Sequence, residues 1–286
     1  MRTQDFYAFI VERETIRLKK EAGEPWPWTE DPILQKYKFT NVRREHDRTT
    51  RWMRENWTGP NKDKELHLQL FNCALFRYFG TIEFAEAIGW QSHWTEFEQN
   101  TVKSKAAYRL AHRDKVFTGA YVITNQGISA PKQEVVVDMF LTPFFEACPS
   151  LITTAQKTKS WQAVATEMRK LQGFGGTGFM TKEVLQDAVH TPAMDYVEDL
   201  NTWCPIGPGA RRGLNRVMER DLRAKASESQ MLWELMLLYN HRSLNWPRHL
   251  GELELHDIQF QLCEFDKMER VKHGQGRPRS LYRRPE

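Results

Sequence analysis

The feature that most constrains this chain is a glycine-rich turn with helical sequence on both sides. Residues 173–178 read GFGGTG and match the G-x-G-x-x-G pattern of dinucleotide-binding folds, which needs a strand before the turn and a helix after it. The preceding residues, 160–171, instead place apolar side chains three and four positions apart, as do residues 181–189 after the turn. That spacing is typical of helices. The pattern therefore predicts a helix, a glycine hairpin and a second helix, and argues against a nucleotide fold.

A glycine hairpin between helices is the layout with which DNA glycosylases hold a DNA backbone. Glycines free backbone N–H groups, and a helix N-terminus adds a partial positive charge, so the two together favour a phosphate. Such turns also occur with no role beyond reversing the chain, and both readings stay open here. The candidate DNA contacts in the turn are Gly173, Phe174, Gly175 and Gly176.

The composition allows a folded core but says little about partners. Of 286 residues, 40% are hydrophobic and 27% charged, which is typical of globular chains and not of disordered ones. Lys and Arg number 41 against 37 Asp and Glu, a net charge of +4, so the distribution of charge matters more than its sum. The four cysteines are far apart in sequence, which excludes a C-x-x-C zinc pattern and favours free thiols.

Helical periodicity recurs along most of the chain, without internal repeats or low-complexity tracts. We therefore predict a mainly α fold with a few short strands. Residues 135–141 form an apolar run for which strand and core helix both remain open, because periodicity cannot separate them. We treat residues 1–286 as a single mainly helical domain, with a division into two lobes left open, and residues 269–286 as a basic C-terminal tail.

Arginines concentrate between positions 43 and 54, where five occur with only two carboxylates. Arg44, Asp47, Arg48 and Arg51 recur at intervals of three and four, which predicts one shared helix face. Such a face has cationic capacity left for phosphate. The alternative is a solvated face whose charges pair with one another.

Two further segments are candidate anion sites. A Gly-Pro-Gly turn at residues 207–209 leads into a helix start that carries Arg211 and Arg212, and a helix N-terminus favours anions. From Lys267 to Glu286 there are seven basic residues against two acidic ones. A flexible basic tail is more often simply solvated, but beside the other arginine-rich segments it supports contact with a nucleic-acid backbone.

Together these segments resemble a bacteriophage and fungal family tied to hypermodified thymines in DNA. That family includes the alpha-glutamyl/putrescinyl thymine pyrophosphorylases, also described as amino acid:DNA transferases, and the helical domain of 5-hydroxymethyluracil DNA kinases. The resemblance rests on residues 28–42 running into Arg44, Asp47 and Arg48, on residues 173–175 with Glu183 and Asp187, on residues 207–213, and on residues 263–267 followed by 276–279.

The resemblance implies a helical fold related to DNA glycosylases, with a helix-hairpin-helix-type element, and action on a flipped base in duplex DNA. In that pathway a kinase phosphorylates 5-hydroxymethyluracil, and a transferase displaces the phosphate with an amine such as glycine. The chain contains no G-x-x-x-x-G-K-[ST] P-loop pattern, so we expect a transferase and not the kinase. The alternatives are a glycosylase-like enzyme that excises the modified base and a non-catalytic DNA-binding partner of such a kinase.

Transfer of an amine requires cations for the leaving phosphate and a carboxylate that accepts a proton. The candidate base is Asp199, which follows Gly175 by 24 residues, near the place where glycosylases carry a catalytic Asp; Asp187 and Asp47 are alternatives. Each of these could instead cap a helix or pair with an arginine. The candidate phosphate- and substrate-binding residues are Asn41, Arg44, Arg48, Arg211, Arg212 and Lys267, and the further DNA-binding candidates are Arg277 and Arg279.

The expected partners are double-stranded DNA containing modified uracil and a free amino acid or polyamine. We expect no cofactor. We also expect no metal site, because His46 and His190 stand alone without a partner at ligand spacing. The first residues lack an apolar signal segment, and no apolar run approaches the ~18 residues of a membrane span. We therefore expect no membrane association and a cytoplasmic protein, in the host cytoplasm if a phage encodes it.

Overall fold

The structure is a computed structural model that describes residues 1–278, 281 and 282. Its α-helices, in chain order, are α1 (Thr3–Glu21), α2 (Pro32–Lys36), α3 (Arg48–Trp52), α4 (Leu66–Phe79), α5 (Ile82–Ile88), α6 (Glu96–Ala111), α7 (Lys132–Glu134), α8 (Thr142–Thr158), α9 (Trp161–Met168), α10 (Phe179–Ala188), α11 (Pro208–Val217), α12 (Glu228–Asn245) and α13 (Leu255–Lys272). The prediction of a mainly α fold is confirmed.

Short helical turns of other types complete the helices, and strands contribute little. Residues Val135–Leu141 form a π-helical turn between α7 and α8, which decides the open choice between strand and helix for this run. Within residues 1–278, 281 and 282, extended pairing outside helices is limited to an isolated antiparallel bridge between Tyr37 and Leu281.

The chain divides into two compact units. We call Met1–Asp47 with Asn201–Glu286 the terminal unit, and Arg48–Leu200 the central unit. The central unit is continuous in sequence, whereas the terminal unit joins the two ends of the chain.

In the terminal unit, α13 is the central helix and packs against α11, α12 and α1. Two glycines one turn apart let α11 approach α13 closely. A Cβ on Gly213 would overlap the carbonyl oxygen of Leu262, and a Cβ on Gly209 would lie 2.9 Å from the Cys263 sulfur. Glycine is the residue that permits such close approach of two backbones.

In the central unit, α4 packs against α8 and α10, and α9 packs against both α8 and α10. All residues of α4 from Leu68 to Phe79 are buried, which is expected of a helix surrounded by other elements. The helix ends at Gly80, whose left-handed backbone (φ 66°) would strain other residues.

Helix α7, the π-helical turn and α8 follow one another without a break and form one continuous helix, Lys132–Thr158. This helix is long and apolar enough, by length and composition, to cross a membrane. Its most apolar window has a mean hydropathy of 1.5, so the expectation that no apolar run approaches this length is corrected. Half of that window is buried inside the molecule, and core helices of soluble proteins pass the same test. The helix is therefore weak evidence for a membrane span.

The arginine-rich segment is not the single helix that its spacing predicts. Residues Arg44–His46 form a short 3-10 turn, and Asp47 then adopts an extended backbone with ψ 133°. A new helix, α3, begins at Arg48. Because the extended Asp47 interrupts the helix, the predicted shared face of arginines does not form.

Candidate functional site

The glycine-rich turn connects α9 to α10 in the central unit. Gly173, Gly176 and Gly178 have positive φ angles of 90°, 63° and 70°, a region that L side chains rarely adopt. Gly178 directly precedes α10, and among the residues that the structure describes no side chain caps that helix. The amides of the first helical turn have no acceptor within their own helix, so the end of α10 carries partial positive charge.

The inner side of the turn packs into the core. A Cβ on Gly173 would lie 2.5 Å from the Tyr78 hydroxyl oxygen. The Phe174 ring is fully buried and stacks on Phe144, with ring centroids 4.5 Å apart. The side chain of Phe174 therefore anchors the turn, and it takes no part in a surface that DNA could reach. This corrects the expectation that Phe174 contacts DNA directly.

The outer side of the turn is exposed at Gly176 and Thr177. A Cβ on Gly176 would meet no atom within 4 Å, so this edge is open. The guanidinium of Arg169 lies alongside and donates a hydrogen bond of 3.0 Å to the carbonyl oxygen of Gly176. Sequence reasoning missed Arg169, although its place one residue beyond a helix that leads into a glycine turn was a usable signal.

Asp199 lies at the N-terminus of α9. Its carboxylate accepts hydrogen bonds from the backbone amides of Trp161 (2.7 Å) and Gln162 (3.1 Å) and from the Ser160 hydroxyl (2.5 Å). A carboxylate in this position satisfies amides that the helix itself cannot. The arrangement is that of a helix cap, the alternative that the sequence left open for Asp199.

Asp187 is fully buried on α10 and pairs with Arg77 of α4. The guanidinium donates from Nε to one carboxylate oxygen and from Nη2 to the other, at 2.9 Å for Nη2. Burial acts to lower the pKa of Arg77, but the charge and hydrogen bonds of Asp187 outweigh it, so that pKa lies above its usual value. Because both charges sit away from solvent, Asp187 is held as one half of a structural ion pair.

Asp47 and Arg48 are both exposed, and the boundary between the two units falls between them. Arg44, in contrast, is buried in the terminal unit, and its backbone amide donates to the Asp257 carboxylate at 3.3 Å. Asn41 is half-buried, and its carbonyl oxygen accepts from Gln261 of α13.

The predicted cations of α11 and α13 are partly engaged. Arg212 donates to Asp266 at 2.9 Å while keeping 42% of its side chain exposed. Lys267 lies 2.6 Å from Glu264, whereas Arg211 and Arg277 are exposed. Arg279 lies outside the described residues.

Asp266 is the centre of a network that ties α11 to α13. It is buried and also accepts from Arg216 at 2.8 Å, with Arg270 3.3 Å away. A buried carboxylate requires such partners. The network therefore fixes Arg212 near the start of α11, with part of its surface open to a ligand.

At the start of α13, sequence reasoning missed a cluster of Glu254, His256 and Asp257. His256 Nε2 lies 3.1 Å from Glu254 Oε2 and 3.9 Å from Asp257 Oδ1. Burial raises the pKa of Asp257 to about 7, although hydrogen bonds from backbone amides and the charge of Arg43 act to lower it. The expectation of no metal site considered His46 and His190 and overlooked His256, for which the E-x-H-D spacing was the available signal.

The predicted residues are thus distributed between the units. The terminal unit holds Asn41, Arg44, Asp47, Arg211, Arg212, Lys267 and Arg277. The central unit holds the glycine-rich turn, Arg48, Asp187 and Asp199. Each unit therefore has a glycine-containing turn that leads into a helix, with an arginine nearby. In the central unit this is the turn before α10 with Arg169, and in the terminal unit it is the turn before α11 with Arg211 and Arg212.

These features define a mainly helical protein in which two helices, α10 and α11, each begin after a glycine. Comparison of the sequence with protein families matches residues 1–277 to the family described as 5-hmdU DNA kinase, helical domain. The chain therefore belongs to this family, as its resemblance to thymine-hypermodification proteins predicted.

A 5-hmdU DNA kinase of Bacillus phage SP10 is 26% identical over 287 aligned positions. The alignment covers 92% of this chain and 44% of the kinase, so the chain corresponds to less than half of that relative. No solved structure matches the chain. The family and this relative connect the chain to bacteriophage DNA modification.

Proposed function

We propose that this chain binds duplex DNA containing modified uracil and transfers an amine onto 5-phosphomethyl-deoxyuridine with loss of phosphate. Glycine is the leading donor, and a polyamine is the alternative. The observation that carries the DNA-binding part is the open edge of the turn at Gly176 and Thr177, beside Arg169 and the uncapped start of α10. The relative's name, a 5-hmdU DNA kinase, supports the choice of base.

The turn suits a DNA phosphate for electrostatic reasons. Amides at the start of a helix point outward with partial positive charge and bind anions. Arg169 adds a full positive charge at the same edge, and guanidinium groups form strong hydrogen bonds with phosphate oxygens. No side chain at Gly176 keeps a phosphate from approaching the backbone.

In the proposed reaction, a neutral amine attacks the methylene carbon on C5 of the uracil. The carbon–oxygen bond to phosphate breaks, the phosphate leaves with the electron pair, and a base accepts the proton that the amine loses. Exposed Arg211 and partly exposed Arg212 are suited to stabilise the departing phosphate. Of the three candidate carboxylates, Asp47 is exposed, Asp187 is buried, and Asp199 lies at the start of α9.

A second candidate function is a non-catalytic DNA-reading domain that works with a 5-hmdU DNA kinase. Two observations favour it: the matching family is defined as the helical domain of kinases, and the chain contains no P-loop pattern. In this function the chain would bind modified DNA and deliver it to the kinase, without turnover of its own.

Mass spectrometry of nucleosides separates these functions. DNA containing 5-phosphomethyl-deoxyuridine is incubated with the full chain and a mixture of amino acids and polyamines, then digested to nucleosides. A new nucleoside that has lost phosphate and gained an amine establishes the transferase and identifies its donor. Release of a free base indicates a glycosylase instead, and an unchanged digest with confirmed DNA binding supports the non-catalytic partner.

A further inference from the structure

The cluster at the start of α13 combines three side chains that bind metals in other proteins. Its ligand atoms, from Glu254, His256 and Asp257, all lie within 4.8 Å of one another. His256 is 2% exposed and Asp257 4% exposed. No step of the proposed reaction uses these residues, so their arrangement calls for a separate explanation.

Backbone hydrogen bonds hold the two carboxylates in place. Glu254 and Asp257 form a reciprocal capping box, in which each side chain accepts from the backbone amide of the other. The Glu254 amide donates to Asp257 Oδ2 at 3.1 Å, and the Arg44 amide donates to Oδ1 at 3.3 Å. Oδ1 is the oxygen nearer to His256, and its second lone pair is the one available to a metal ion. Ligands fixed by hydrogen bonds of this kind bind metals better than mobile ones.

We propose that Glu254, His256 and Asp257 form a binding site for a divalent transition-metal ion such as Mn²⁺ or Zn²⁺. Metal–ligand bonds of ~2.0–2.2 Å place neighbouring ligand atoms about 3.0–3.5 Å apart. The 3.1 Å between Glu254 and His256 meets this requirement. The 3.9 Å between Asp257 and His256 requires a shift of less than ~1 Å.

The donor set indicates the class of ion. One imidazole with two carboxylates suits Mn²⁺, Fe²⁺ or Zn²⁺, whereas all-oxygen sites suit Mg²⁺ and Ca²⁺. A divalent ion also balances two carboxylates that lie close together. The bound ion would tie the segment before α13 to the first turn of that helix. A hydrogen bond between His256 and Glu254 with no metal ion present is the competing explanation.

Isothermal titration of the full chain, stripped with EDTA, tests the proposal. Mn²⁺ is the primary probe because thiolates bind it weakly, and the chain has free cysteines. We expect one Mn²⁺ per chain and little heat with Mg²⁺. Zn²⁺ is titrated second, and loss of the free Mn²⁺ signal in electron paramagnetic resonance provides an independent readout.

Three variants locate the site. Glu254→Gln is the mildest, since its side chain is 33% exposed, and His256→Gln removes the nitrogen ligand. Both should weaken Mn²⁺ binding at least tenfold. His249→Gln is the control, because His249 is exposed in the same unit, and it should bind as the parent does.

Circular dichroism and melting curves confirm that each variant is folded, and Glu254→Gln keeps the test decisive if His256→Gln unfolds. Mn²⁺ should also raise the melting temperature of the parent and not of folded Glu254→Gln. Absence of Mn²⁺ and Zn²⁺ binding to the parent overturns the proposal. Equal affinities in the parent and in folded Glu254→Gln overturn it as well.

Discussion

Arg77 and Asp187 meet in the core of the central unit, where neither charge reaches solvent. Removing one partner of a buried pair leaves the other charge unpaired, which costs about 3–5 kcal/mol. We therefore expect Asp187→Ala to lower the free energy of unfolding by that amount in a denaturant titration. The control is Lys170→Ala, which breaks an exposed pair with Glu167 and should cost less than about 1 kcal/mol. Equal losses would contradict the structural role of Asp187.

Asp199 allows its capping role to be separated from the predicted catalytic role. Both carboxylate oxygens of Asp199 accept from α9; Asn keeps one of these acceptors, whereas Ala removes both, and loss of a cap costs about 1–2 kcal/mol. We expect Asp199→Asn to melt somewhat below the parent and Asp199→Ala to melt lower still, with exposed Asp195→Ala as the control.

Activity then decides the second role, because an amide cannot accept the amine's proton. If Asp199 only caps α9, Asp199→Asn keeps its transfer activity. A stable Asp199→Asn protein with no activity would instead support Asp199 as the base.

The proposed DNA contact can be tested by comparing the same substitution at Gly176, in the proposed site, and at Gly127, outside it. Both have positive φ angles, of 63° and 83°, and a Cβ would meet no atom within 4 Å at either position. Alanine should therefore cost each a similar ~1–2 kcal/mol of backbone strain. Only Gly176→Ala places a methyl group on the proposed phosphate site, so we expect it alone to weaken DNA binding, by about tenfold in a fluorescence anisotropy titration. A Gly127→Ala variant that loses as much affinity would show that strain, and not the site, is responsible.

At the scale of single residues, the sequence indicated which residue types could be functional but not which partners they contact. Asp187 and Asp199 were recognisable as carboxylates near a glycine turn, yet Arg77 lies 110 positions from Asp187 and Trp161 lies 38 from Asp199. Periodicity describes neighbours within an element, and contacts over such separations depend on tertiary packing. Phe174 was misplaced for the same reason, since its burial depends on Phe144 of α8.

At the scale of elements, the packing of α11 on α13 depends on Gly213. A Cβ there would overlap the Leu262 carbonyl oxygen, and a backbone cannot move aside as a side chain can. We expect Gly213→Ala to cost at least about 3 kcal/mol in chemical denaturation, at the upper end of overpacking. Gly207→Ala, at the N-cap of the same helix with no atom within 4 Å of a Cβ, should cost less than about 1 kcal/mol. Comparable stabilities for the two variants would contradict this packing.

Most helices could be predicted because apolar spacing determines which face is buried. The helix predicted from the apolar spacing of residues 181–189 corresponds to α10 (Phe179–Ala188). The prediction of a single helix for the arginine-rich segment was wrong. The regular spacing there is of charged side chains, which do not have to be buried on one helix face, and the extended backbone of Asp47 ends the 3-10 turn before α3 begins. The close contact at Gly213 was also not predictable, since the motif indicated an anion site and gave no sign of the second helix.

At the scale of the whole molecule, a net charge of +4 is small, so DNA binding should depend on local clusters. The logarithm of affinity falls with the logarithm of salt by about 0.9 per phosphate contact. With the turn, Arg211 and Arg277 each contacting a phosphate, we expect a slope of about −3 or steeper. The double variant Arg211→Gln, Arg277→Gln should reduce that slope by about 2. An affinity independent of salt would exclude phosphate contacts.

The division of the chain also determines the order in which the protein can fold during synthesis. The central unit is complete once Leu200 has left the ribosome, and its contacts lie within one continuous segment. Helix α1 can pack only later, because Arg2 pairs with Glu269 and Arg13 with Gln261, and both partners belong to α13. Since domains fold as units while the chain is made, α1 is among the last helices to pack although it is made before the central unit. Until α12 and α13 have been made, the buried face of α1 lacks the helices that cover it.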